Sequence, residues 1–439
     1  MPVNSIDILI RNGTVLTMDP DLAVIAGGVV AISGDRITIV GPEEMVTGRP
    51  VHHTVDAKGG LILPGLINTH THAAMTCFRG LADDLPLMTW LHEHIFPAEA
   101  RLNAEKVRAG TLLACAEMML SGTTCFADMY LFEDAVAEAA KAAGMRAVVG
   151  EVLYDFPSPC YGPIENGFAC TENLIGKWKN DPLITIAVEP HSPYLCAPDL
   201  LKRAAELSER HGIPLILHVA ETRAEAETMR ERYGKTAVRH LADIGVLSPR
   251  LLACHCVVLT DADIELLARF DVKVSHNPES NMKLASGIAP VPALMTAGVC
   301  VGLGTDGCTS NNNLDLFEEM DTAAKLHKVA NLDPTVMDAV TVLKMATSDA
   351  AKALGLSAVT GSLEPGKKAD VIIIDTRKPH LTPLYNPYSH LVYAARGGDV
   401  DTVIINGRVV VENRRLRTVD VEAVMADVNR IAAEIRAGK

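Results

Sequence analysis

Leu61-Ile62-Leu63-Pro64-Gly65-Leu66-Ile67-Asn68-Thr69-His70-Thr71-His72 is an apolar run that stops on two histidines. A short run of this kind reads as a buried strand. Side chains alternate across a strand, so His70 and His72 point the same way at its carboxyl end, where two imidazoles can hold one cation. The pattern alone carries little weight: with 15 His in 439 residues, about 0.5 His-x-His matches arise by chance. A second copy, His92-Glu93-His94, sits in Leu85 to Phe96, which reads as helical, so its side chains diverge and a surface or satisfied pair is the reading. The first pair matters if other ligands arrive at matching places.

Seven more apolar runs follow, at Thr123 to Asp128, Arg146 to Val152, Ile184 to Glu189, Pro214 to Val219, Leu251 to Cys256, Val272 to His276 and Val299 to Gly304. Helical stretches such as Ala104 to Met119, Asp134 to Ala143, Asp199 to Arg210 and Asp261 to Ala268 separate most of them. Eight strand–helix units in about 300 residues predict an α/β chain folded as a (β/α)8 TIM barrel, with a doubly wound sheet as the alternative. Both chain ends read differently. Asp7 to Ile10 leads into Arg11-Asn12-Gly13-Thr14, a hairpin signal, Ser33-Gly34-Asp35-Arg36 is a second turn, and Asn406-Gly407-Arg408 a third, between Thr402 to Ile405 and Val409 to Glu412. Residues 1–60 and 362–439 are therefore expected to form one small β-sandwich domain, interrupted by the barrel at 61–361.

Six of the eight runs end in polar residues of one kind: His70-Thr71-His72, His191-Ser192, His218 with Glu221, His255, His276-Asn277 and Asp306. In a barrel these carboxyl ends share one mouth. An isolated buried His usually serves a backbone carbonyl and nothing more. Jointly, His70, His72, His218 and Asp306 supply three neutral nitrogens and a carboxylate, a set that suits one Zn2+ per subunit with a water completing the shell; Fe2+ or Mn2+ would also fit. Glu221, three residues past His218, is a natural proton carrier beside such an ion. Cys254 and Cys256 flank His255 but face away from it on a strand, as small core residues. Gly302-Leu303-Gly304-Thr305-Asp306-Gly307 has the form Gly-x-Gly-x-x-Gly, yet no second strand follows it as a dinucleotide site requires.

Composition narrows the partners. A formal net charge of −14 and 4% aromatic residues argue against nucleic acid, which needs a basic footprint or stacking platforms. No apolar run approaches the roughly 20 residues of a membrane span, the first residues lack a secretory pattern, and ten Cys without regular spacing suit free thiols in a reducing compartment. A cytoplasmic homo-oligomer acting on a small molecule is expected. Serine-hydrolase elbow, P-loop and Pro-Cys-x-x-Cys deaminase signatures are all missing.

Pro64 to His72, His218-Val219-Ala220-Glu221-Thr222, Ser275-His276-Asn277-Pro278-Glu279-Ser280-Asn281 and Gly304-Thr305-Asp306-Gly307 together resemble the amidohydrolase superfamily, and within it the 5-methylthioadenosine/S-adenosylhomocysteine deaminases, neighbours of the s-triazine chlorohydrolases. The resemblance runs from about residue 5 to 430. It implies one zinc on His70, His72, His218 and Asp306, with Asp306 taking a proton from water, His255 holding the hydroxide and Glu221 protonating the ring nitrogen of a purine nucleoside before ammonia leaves. It also implies that Glu99 accepts from ribose hydroxyls and that His191 touches substrate. Trp90, one of two Trp, is placed either to close over the substrate from the first loop or to serve packing. Relatives can grip a substrate carboxylate with an Arg after the third strand, whereas Tyr154 to Gly176 holds no Arg or Lys here. Methylthioadenosine or adenosine is thus expected over S-adenosylhomocysteine. The alternatives are a guanine-, pterin- or cytosine-like deaminase, a triazine hydrolase and, more distantly, a non-catalytic scaffold.

Overall fold

Eight parallel strands close into a ring whose first member, Leu66–Thr71, pairs with Thr123–Tyr130 and whose last, Val301–Leu303, returns to it. The structure, a computed structural model, describes residues 5–85 and 89–437. Between first and last come Arg146–Leu153, Ile184–Ile186 continued by Glu189–Pro190, Leu215–Val219, Leu251–His255 and Lys273–His276. Backbone bonds from Ile216 N to Val188 O and from His218 N to His191 O, both 3.0 Å, join the fourth and fifth strands, and Asp306 N to His70 O at 2.9 Å closes the ring. Every residue of the first three strands is buried, because helices such as Ala104–Leu120 and Glu133–Ala143 cover the outer face. The chain is an α/β protein: a (β/α)8 barrel carrying a small β-sandwich.

The opening run divides at Gly65. Leu66–Thr71 enters the barrel, but Leu61–Pro64 pairs antiparallel with Val371–Ile374 in a nine-stranded sheet built from both chain ends. A Cβ at Gly65 would stand 2.1 Å from the Thr124 hydroxyl, so only glycine lets the strand pass between the two layers. Alternation then serves two cores. Ile62, Val371 and Ile373 pack with Ile8, Ile10 and Ile404 in the small core, while Leu61, Leu63, Ile372 and Ile374 face the barrel's core. The buried Arg146–Asp370 pair (2.8 and 3.1 Å) ties the third barrel strand to the residue that precedes Val371.

Two of the three turns stand as read: Ser33 pairs with Arg36, and Ile405 with Arg408. Arg11-Asn12-Gly13-Thr14 is no hairpin. It is a bulge within the single strand Ile6–Leu16, where Asn12 takes φ 60° and pairing with Val24–Ser33 resumes at Gly13. No helix is long and apolar enough to cross a membrane among the described residues.

Candidate active site

His70 lies on the last turn of the first strand and His72 just beyond it, and the ring of the barrel brings His218 and Asp306 against them. Ligand atoms of His70, His72 and His218 lie within 4.8 Å of one another, as do those of His70, His255 and Asp306. Asp306 Oδ1 stands 3.1 Å from His72 Nε2 and 3.6 Å from His70 Nε2. Residues separated by more than two hundred positions thus converge because their strands end at one mouth.

Whether this set suits a cation can be judged from its hydrogen bonds. His72 Nδ1 is 2.5 Å from Met129 O and His218 Nδ1 is 2.8 Å from His191 O. A carbonyl accepts only from N–H, so both rings carry the proton on Nδ1 and turn the Nε2 lone pair inward. His70 Nε2 is buried with no hydrogen-bond partner, which for a strong polar atom calls for a ligand. Asp306 Oδ2 accepts from Ser280 Oγ (2.6 Å) and Ser310 Oγ (2.8 Å), so Oδ1 is the oxygen aimed at the imidazoles. Three inward nitrogens and one anchored carboxylate fit a small divalent ion with bonds of about 2.0–2.2 Å.

The charges agree with that reading. Burial holds His70 and His218 well below the ordinary histidine range, helped by the neighbouring imidazoles. At His72 burial also opposes charge, but the Asp306 carboxylate outweighs it and lifts the ring to about 9. Asp306 is pulled well below the usual carboxylate range against its own burial, chiefly by His72. A cation here would replace a shared proton.

Around this centre a cavity of about 320 Å3 is lined by His72, Glu99, His191, His218, Glu221, His255 and Asp306, with walls from Tyr130, Tyr154, Phe156 and Tyr194. Glu221 Oε2 is 3.9 Å from His255 Nε2. Burial raises Glu221, partly offset by His255, so it keeps its proton to a higher pH than a surface carboxyl. His255 Nδ1 is held by Asn281 Oδ1 at 3.0 Å and Asn277 Nδ2 at 3.3 Å, which leaves Nε2 on the cavity side. His191 is depressed to about 3 by burial and the nearby His72 and His255, hence neutral at pH 7. Glu99 accepts from the Tyr130 hydroxyl at 2.8 Å and is moved up to about 7 by burial. The side chain of Trp90, like that of His92, lies outside the described residues.

Several supporting groups escaped the sequence reading. Glu225 accepts from Ala220 N (2.9 Å) and Glu221 N (2.7 Å), clamping the turn that presents Glu221. Thr222-x-x-Glu225 has the form of a helix-start signature and could have drawn attention to it. Ser280, Asn281 and Ser310 orient Asp306 and His255, and Asp128 accepts from Ala73 N at 2.5 Å behind His72. Ser280 and Asn281 stand in a motif whose likeness was plain while their contacts were not.

Comparison with known proteins adds to this geometry. Residues 61–410 match the amidohydrolase family. A 5-methylthioadenosine/S-adenosylhomocysteine deaminase of Syntrophobacter fumaroxidans is 61% identical over 98% of both chains. A 5'-deoxyadenosine deaminase of Methanosarcina acetivorans is 50% identical over 98% of both. The crystal structure of an adenosine deaminase from Xanthomonas campestris with bound zinc superposes with a TM-score of 0.97 at 40% identity, covering 99% of this chain and all of that one.

Proposed function

Since the chain belongs to the amidohydrolase family, we propose that it is a zinc-dependent aminohydrolase converting the adenine ring of a nucleoside such as 5'-methylthioadenosine, 5'-deoxyadenosine or adenosine to its inosine analogue, with release of ammonia. The observation that carries this reading is one cavity at a cluster of three imidazoles and an aspartate, with Glu221, whose proton affinity burial raises, and a polar Glu99 within aromatic walls. His70, His72, His218 and Asp306 would hold the zinc, which when bound acts as a Lewis acid lowering the pKa of its water to about 7.

The chain's own residues supply the proton traffic. Asp306, anchored through Oδ2, is the carboxylate placed to take a proton from the attacking water. Glu221 delivers one to the ring nitrogen beside the amino-bearing carbon. Addition breaks ring aromaticity, so protonating that nitrogen lowers the barrier as the carbon is attacked. His255 offers Nε2 to a polar atom held between Asp306 and Glu221. Glu99 accepts from the ribose hydroxyls, and neutral His191 is a hydrogen-bond partner for substrate.

Among the described residues lining the cavity there is no Arg or Lys. A substrate carboxylate therefore forgoes a charge-assisted contact of about 1.5–3 kcal/mol, roughly 10- to 150-fold in specificity. Methylthioadenosine or adenosine is preferred over S-adenosylhomocysteine on that ground. Ten unpaired cysteines support a reducing, cytoplasmic setting, and the homo-oligomer is a proposal that light scattering would test. The central experiment incubates zinc-loaded protein with a panel of purines, nucleosides and thioethers and follows the adenine-to-hypoxanthine ultraviolet change. No turnover of any adenine nucleoside overturns the reading, and a clear preference for S-adenosylhomocysteine overturns the specificity.

A further inference from the structure

A second group of metal-ligating side chains stands behind the cavity wall. Glu151 lies in the third barrel strand, Cys160 in the loop after it and Cys170 on the helix Ile164–Trp178, and one ligand atom of each lies within 4.8 Å of the others. Eight of the ten cysteines are buried; Cys160 and Cys170 are the two that are partly exposed, and they face each other. Glu151 is buried, and its two oxygens accept from Phe132 N (3.2 Å) and Glu133 N (2.9 Å). Because a carboxylate offers about four acceptor positions, each oxygen keeps a lone pair.

We propose that Glu151, Cys160 and Cys170 form a second metal site, for a thiophilic divalent cation such as zinc. Two thiolates and a carboxylate are a softer and more negative set than the imidazoles at the barrel mouth, and such sets select zinc-like ions over magnesium or calcium. Cys160 and Cys170 are both only partly buried, which leaves room for water as a fourth ligand. On binding, each S–H bond breaks, its proton leaves to solvent and an S–metal bond forms, with no change in oxidation state. The site joins the barrel to the loop that places Tyr154, Phe156, Pro157 and Pro159 in the cavity wall, so its ion would fix the shape of the substrate pocket without touching substrate.

The test uses cadmium on the full-length, reduced protein. The cluster at the barrel mouth has no thiol and the other thiols are buried, so thiolate-to-cadmium charge-transfer absorption reports on Cys160 and Cys170. The expected result is a band that saturates at one equivalent for this site and is lost, together with that equivalent, in Cys160→Ser and Cys170→Ser. In the wild type, cadmium should also protect two thiols from an aromatic disulfide reagent, a readout that needs no variant to fold. Absence of the band from the reduced wild type, or an unchanged band in both variants, overturns the proposal. So does a protein that is lighter by two hydrogens until reduced and binds no cadmium afterwards, which would assign the pair to a disulfide. None of these readouts depends on turnover, so their failure leaves the aminohydrolase reading where it stands.

Discussion

Tyr130→Phe isolates the role of Glu99. Burial moves the Glu99 carboxyl up to about 7, and the Tyr130 hydroxyl at 2.8 Å, followed by the charge on His72, keeps it from rising further. A hydrogen bond to a charged group contributes about 1.5–3 kcal/mol, and one pKa unit corresponds to about 1.4 kcal/mol. Removing the hydroxyl should therefore raise Glu99 by about one to two units. Its ionised fraction at pH 7 then falls from about one half to between about one tenth and one hundredth. If Glu99 binds the ribose 2'- and 3'-hydroxyls as a carboxylate, kcat/KM for adenosine at pH 7 drops about 5- to 50-fold, and the acid limb moves up in pH by the same one to two units. The assay is the pH profile of kcat/KM, whose acid limb reports groups of the free enzyme, run in parallel with 2',3'-dideoxyadenosine, which lacks the 2'- and 3'-hydroxyls and should be insensitive. An acid limb that does not move, or an equal loss for the dideoxy substrate, refutes the reasoning.

Glu221→Gln should lower kcat by about 10²–10⁴, the usual contribution of a positioned acid, with bound metal unchanged by elemental analysis. Because burial raises Glu221, the wild-type basic limb marks loss of its proton as pH climbs, and the variant should lack that limb; full activity in the variant would remove Glu221 from the mechanism. Dialysis against a strong chelator should abolish turnover and zinc should restore it, whereas persistent activity in a metal-depleted sample would break the assignment of His70, His72, His218 and Asp306. Asp370→Ala leaves the Arg146 guanidinium buried without its anion, an arrangement that costs about 3–5 kcal/mol; a denaturation midpoint within error of wild type would show that the pair is dispensable.

The barrel was legible because its signal is redundant. Eight apolar runs recur within about 300 residues, and six of them end in His or Asp on the same side, which no single motif could convey. Where the reading failed, two local solutions shared one sequence signal. Asn12-Gly13 suits a hairpin or a bulge equally, since both use left-handed backbone at Asn12, and only the continued pairing of Thr14 to Leu16 with Val24 to Ala26 selects the bulge. Leu61 to Ile67 carries no polar side chain, and what splits it at Gly65 is an antiparallel partner, Val371–Ile374, more than three hundred residues away.

At the site the sequence conveyed donor types but not their aim. Strand alternation is enough to bring His70 and His72 to one face, but the inward turn of the His72 and His218 nitrogens depends on carbonyls of Met129 and His191, and every residue has a carbonyl. Backbone conformation is the other hidden quantity. Ala220, His255 and Asp306 all take φ between 53° and 74°, a region that costs non-glycine residues of order 1–3 kcal/mol, and each stands at or next to a group assigned to the chemistry. Glycine would relieve the strain at any of them, but at 255 and 306 it would remove the functional side chain, and beside Glu221 it would loosen the turn that Glu225 clamps through two N–H groups. Strain kept at three strand ends of the same mouth is what is expected where the aim of a side chain outweighs local stability, and it becomes visible only once the ring has closed.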